Sequence, residues 1–128
     1  MATVSFEMAG MYFEYDEEKN QKNIRKHGID FRSAARVFFD YDRIELVDEE
    51  HSDVEERYNT IGDTSAANVF DRTIIGTPQS FGTQDDVLFV VYTDRIRVFQ
   101  DGVKVDVTRI ISARLATDFE RGMYYGKY

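Results

Sequence analysis

Few side chains in this sequence can move a proton near neutral pH. There are two histidines, His27 and His51, and no cysteine. An imidazole titrates close to physiological pH, and guanidinium groups hold negative charge as it develops on a phosphate. Arg57 opens one apparent strand, and Arg109 and Arg114 share another. No Gly-rich phosphate loop, HExxH helix or nucleophile-elbow serine is present. The chemistry, if any, therefore rests on imidazole, guanidinium and the tyrosines.

Each candidate also has a plainer reading. His27 ends a basic helix, where the helix dipole stabilises a cation whether or not it does chemistry. Lys26 precedes it and lies with Lys19 and Lys22 on one side of that helix, at about 100° per residue. His51 sits in the acidic run Asp48–Asp53, from which a metal site can be drawn. No fixed ligand spacing is met there, so a solvated acidic loop is the favoured reading and no metal is expected. Arg57 follows Glu55-Glu56, and pairing with one of them competes equally with catalysis. Arg109 and Arg114 are five residues apart, so a period of two points them to opposite faces unless a bulge intervenes.

The elements that must position these groups are legible in outline. The sequence over 1–10 reads as a loose extension or short edge strand, and Met11–Tyr15 as a first strand. Asp16 is a suitable N-cap for a helix ending at Gly28, which supplies a left-handed C-terminal residue. Ile24 is the only aliphatic residue of that helix and is expected to dock it. Asp30 caps a second short helix over Phe31–Phe38, whose Phe31, Ala34, Ala35 and Phe38 recur at helical spacing. Strands follow at Ile44–Val47 and Arg57–Gly62. Residues 63–86 turn small and polar and form an insertion, with a short strand expected at Arg72–Gly76. Val87–Tyr92 is a continuous apolar run suited to a central strand covered on both faces. Asp101-Gly102 marks a hairpin between strands at 95–99 and 103–107, and Val107–Arg114 continues the second. Thr117 and Glu120 form a capping box for a final helix over 118–125. This order predicts a single α+β domain over 1–128, with a mainly antiparallel sheet, two N-terminal helices packed on one face and a short C-terminal helix.

Composition sets the outer limits. Aromatic content of 14% and a hydrophobic share of 42% suit a folded globule. No apolar run approaches the ~20 residues that span a membrane, no basic-then-apolar leader is seen, and a reducing cytoplasm is the expected compartment. The net charge of −8 is the wrong sign for a nucleic-acid binder. The average conceals a division, however. Residues 19–36 carry six Lys/Arg against Asp30, whereas 40–56 carry nine acids against Arg43.

Several fragments, taken in order, resemble one family. They are Phe13–Asp16 with Lys19, Asn23 with Lys26-His27-Gly28-Ile29 and Phe31, and Ala34-Ala35 with Val37-Phe38. His51–Asp53, Glu56–Tyr58 and Ile61-Gly62 follow, then Phe89–Thr93 and Arg109–Arg114 with Glu120-Arg121 and Tyr124. Together they are similar to the BrnT toxins (DUF497) of type II toxin–antitoxin systems. The resemblance implies a RelE-like ribonuclease that slows translation, with RNA as substrate, free or on the ribosome. It also implies neutralisation by a BrnA-type antitoxin, a ribbon-helix-helix protein through which alone the pair would meet DNA. Carried over by position, the candidate site is Lys26, His27, Arg57, Arg109 and Arg114. The expected chemistry is metal-independent and cofactor-free attack of a 2′-hydroxyl on the adjacent phosphate. His27 would act as base or acid, Arg57 and Arg109 as charge stabilisers, and Lys26 and Arg114 as phosphate contacts. The rival expectation is a non-catalytic interaction module, a decayed toxin or co-repressor partner, that binds through the acidic stretch and the insertion.

Overall fold

A computed structural model describes residues 2–51, 55–66 and 87–126 of the chain. Alternation builds the edge: β1 (Thr3–Met8) turns Val4, Phe6 and Met8 inward and leaves Thr3, Ser5 and Glu7 exposed. It pairs antiparallel with β2 (Met11–Asp16), so the N-terminal residues form an edge strand. Strands β3 (Ile44–Asp48), β4 (Arg57–Asp63), β5 (Val87–Val98) and β6 (Lys104–Leu115) complete a six-stranded sheet. The order is β1-β2-β6-β5-β4-β3, and β2 with β6 is its one parallel pair. The fold is α+β with a mostly antiparallel sheet. The expected Arg72–Gly76 strand and most of the 63–86 insertion lie outside the described residues.

Helix α1 (Glu17–His27) has the ends its sequence announces. Asp16 accepts from the Glu18 N–H at 2.9 Å, and Gly28 takes φ 73° while its N–H bonds the Ile24 carbonyl. Its docking differs from the expectation. Ile24 is only half-buried, and the buried side chains of the helix are Asn20 and Asn23. Asn20 accepts from the Phe31 N–H at 2.8 Å. Asn23 donates to the carbonyls of Ile29 (2.9 Å) and Ala113 (2.8 Å) and accepts from the Ala113 N–H (3.2 Å). The reason lies in the sheet. β2 pairs with β6 only from Val107 to Arg109, so the edge of β6 beyond has no strand beside it among the described residues. The Asn23 amide takes the place of a strand there, because buried backbone groups must be paired.

The second helical segment is one α-turn, α2 (Phe31–Ala34), capped by Asp30, that tightens into a 3₁₀ stretch over Ala35–Phe39. Phe31, Ala34, Ala35, Val37 and Phe38 pack on Phe13, Leu88, Val90, Tyr92, Ile110 and Ala113 to form the core. Full burial of a ring such as Phe13 or Phe31 contributes ~1.5–3 kcal/mol. Buried Asp40 accepts from the N–H groups of Asp42 and Asp63 and from the Tyr124 hydroxyl, and so ties α3 (Asp118–Tyr124) to the end of β4. The capping box of Thr117 and Glu120 is formed. The hairpin turns at Asp101-Gly102, where Gly102 adopts φ 87°.

One irregularity decides the faces. Between β5 and β6 the register runs Val91↔Ser112 and then Tyr92↔Ile110, so Ile111 is an extra residue. Residues paired across neighbouring strands share a face. Leu88, Val90 and Tyr92 face the helices, whereas Phe89, Val91 and Thr93 face away.

Candidate functional site

The bulge at Ile111 brings Arg109 and Arg114 to the same face. Arg114 pairs with Phe89 and Arg109 with Thr93, both on the face away from the helices. Arg57, one residue before Tyr58 and opposite Asp48 on β3, joins them there. Alternation along β5 adds Arg95 and Arg97, which the sequence reading passed over. The five arginines thus spread over neighbouring strands on one side of the sheet.

Carboxylates meet most of them. Glu14 accepts from Arg109 at 2.7 Å and Arg97 at 3.3 Å, and lies 4.0 Å from Arg95. Arg95 also bonds Glu55 at 3.1 Å. Arg114 is held in a two-point bond by Glu120 (2.8 and 3.0 Å), and its guanidinium lies 4.1 Å over the Phe89 ring. Burial pushes the Glu120 carboxyl up, but the bonds from Arg114 and Thr117 outweigh it and hold the group below its usual range.

Beside these groups lies an open hollow of about 360 Å³. Arg57, Asn59 and Ser112 supply its polar lining with Asp48 and Glu50, and Phe89, Val91 and Ile111 its apolar part. The Asn59 side-chain oxygen is buried with no hydrogen-bond partner among the described residues. An acceptor in that state favours a ligand that can donate to it.

Of the residues singled out from sequence, only Arg57 lines this hollow. Arg114 forms its border through Phe89, and Arg109 stands further along the face at Glu14. His27 is half-buried at the end of α1, beside the β6 edge that Asn23 secures. Burial, then the Lys26 charge, then the Arg114 charge push its imidazole below the usual histidine range, which favours the neutral ring. Lys26 is exposed. The His51 side chain lies outside the described residues.

Residues 15–75 match the family model of BrnT, the ribonuclease toxin of type II toxin–antitoxin systems. Over that stretch, 61 of the 128 residues, the chain is similar to the BrnT toxins, a family of ribonuclease toxins from type II toxin–antitoxin systems. The matched stretch runs from the end of β2 through α1 to β4 and beyond, and so includes Lys26, His27 and Arg57. Arg109 and Arg114 fall outside it and share a sheet face with Arg57. No curated protein sequence matches the chain. Among the described residues, no helix is long and apolar enough to cross a membrane.

The groups missed from sequence are Arg95, Arg97, Asn59 and the carboxylates Glu14 and Glu120. Arg95 and Arg97 carried a usable signal, because they alternate with Asp94, Ile96 and Val98. Glu14 and Glu120 carried none, since their partners lie across the sheet or on the next element.

Proposed function

We propose that this chain is a BrnT-family toxin, a metal-independent, mRNA-interferase-like endoribonuclease of RelE-like fold that inhibits translation in the cytoplasm. His27, whose neutral form is favoured by burial and by the Lys26 and Arg114 charges, takes the 2′-hydroxyl proton. The 2′-oxygen then bonds to the adjacent phosphorus as the bond from phosphorus to the 5′-oxygen breaks, and that oxygen leaves with a proton from water while His27 returns its own to solvent. The products are a 2′,3′-cyclic phosphate and a 5′-hydroxyl. Arg57 and Arg109 hold the negative charge that grows on the phosphorane, while Lys26 and Arg114 contact the flanking phosphates. The hollow beside Phe89 seats a nucleotide. The partner is a BrnA-type ribbon-helix-helix antitoxin, through which the pair meets DNA.

The observation that carries this reading is the bulge at Ile111, which puts Arg114 on the face that Arg109 and Arg57 share. The test is incubation of the purified protein with RNA in excess chelator, with analysis of the product ends. Cleavage to cyclic phosphate ends is expected. Cleavage that stops with the chelator and returns with a divalent ion contradicts it.

One observation favours a second reading, a non-catalytic interaction module. Glu14 and Glu120 already occupy Arg109 and Arg114, and an RNA phosphate must compete with them. RNA left intact at all protein concentrations, by folded protein, selects that reading.

A further inference from the structure

The alternation that gathers arginines on one face of β5 gathers a different set on the other. Tyr92, Asp94, Ile96 and Val98 point to the helix side, but the packed helices end at Tyr92 and Ile110. Beyond them nothing among the described residues covers the face: Ile96 is 65% and Val98 59% exposed. Val47, opposite Tyr58 on the same side, is 51% exposed. At the near end Tyr92 stacks on Tyr58 and meets Phe38, whose other neighbours Phe39 and Tyr41 line an open hollow of about 300 Å³ with Arg43. An apolar strip thus runs from that hollow along β5.

Acids flank the strip. Asp94 lies in it, Asp106 is opposite Ile96, Glu45 accepts from the Tyr92 hydroxyl and Glu56 from the Tyr58 hydroxyl. Burial, then Asp106, then Glu45 raise the Asp94 carboxyl above its usual range, which places these three carboxyls in one field. Against them stand Arg43, 3.5 Å from Glu45, and Lys104, opposite Val98. From Tyr92 to Val98 the strand advances about 20 Å, the length of a helix of roughly 13 residues.

We propose that the uncovered helix-side strip of β5, Tyr92 to Val98 with its flanking acids, docks a basic amphipathic helix of a protein partner. A second copy that meets it through the same strip is a poor occupant, because that sets acids against acids. A helix with one apolar side and flanking Lys/Arg meets both the strip and its charge. This rests on the toxin reading only in making the partner the antitoxin, which would then bind on the side of the sheet opposite the arginines.

The test uses the full chain and a synthetic 14-residue Leu/Lys peptide patterned as an amphipathic helix, with a scrambled peptide of the same composition as control. Titration calorimetry gives affinities, and methyl NMR maps the contact. The patterned peptide is expected to bind at least tenfold tighter than the scrambled one. It should move the methyls of Ile96, Val98 and Val47 and leave those of Val91 and Ile111 on the opposite face in place. Ile96→Ser with Val98→Ser, both exposed positions, should cut that affinity about tenfold with the same thermal midpoint and the same RNA cleavage. Equal binding of the two peptides, shifts centred on Val91 and Ile111, or a double variant that binds like the parent each overturns the proposal. If the parent leaves RNA intact while the peptide still maps to the strip, the ribonuclease reading fails and the docking strip stands.

Discussion

The side chain of Asn23 bonds both the N–H and the C=O of Ala113, ninety residues further along the chain. That contact sets α1 against the free edge of β6 and fixes where His27 ends up relative to Arg114. Replacing Asn23 by Ala takes this partner from three buried backbone groups, the Ile29 and Ala113 carbonyls and the Ala113 N–H, and should destabilise the fold by on the order of 3 kcal/mol. Urea unfolding measures the loss, and amide exchange at Ala113 should quicken with it. Unchanged stability and protection would show that water replaces the amide at no cost.

The Ala113 contact also shows why part of this fold was hidden in the sequence. Caps, turns and apolar periods are local, and they placed Asp16, Gly28, Asp30, Asp101-Gly102 and the Thr117–Glu120 box correctly. A buried asparagine in a polar helix has no local signature, so Ile24 drew the attention due to Asn23. The faces of Arg109 and Arg114 were undecidable for a similar reason. Their separation fixes the parity of a regular strand, but the bulge at Ile111 depends on the register with β5. The candidate site was legible as a set of residue types and became a site only through that register.

The His27 imidazole is held below 6.5 by burial, by Lys26 and by Arg114, in that order. As a base it must be neutral, so the cleavage rate should rise with pH through this lowered pKa and level off above 6.5. Removing the neighbouring charge in Lys26→Gln should move that limb to higher pH, by single-turnover rates and by NMR titration of the ring. The stability effect has a definite sign. The unfolded chain holds the proton more tightly, so this contribution is complete above 6.5 and is lost as pH falls through the folded-state value. An unmoved limb in Lys26→Gln would place the titrating group elsewhere.

Gly62 faces Leu88 across the sheet, and a Cβ there would lie 3.0 Å from the Val37 Cβ and 3.2 Å from the Val37 carbonyl oxygen. The carbonyl belongs to the 3₁₀ stretch and cannot rotate away. Gly62→Ala should therefore cost ~1–3 kcal/mol by overpacking. Thermal unfolding measures it, and an unchanged midpoint would mean that the 3₁₀ stretch shifts freely.

Arg57 is the candidate cation that lines the hollow beside Phe89. If it stabilises charge in the transition state, Arg57→Ala should lower cleavage by ~10²–10³. Arg57→Lys keeps the charge but loses the planar fork, and should recover only part of the rate. A fully active Arg57→Ala protein would move the reaction away from the hollow.

The central claim is that the imidazole ending α1 acts on the same phosphate as the arginines of the open sheet face. Single-turnover RNA cleavage by folded His27→Ala protein, with unfolding curves measured alongside, tests it most directly. The account predicts a loss of ~10²–10⁴ in rate, with the unfolding midpoint retained. Cleavage at the parent rate by a folded His27→Ala protein contradicts it.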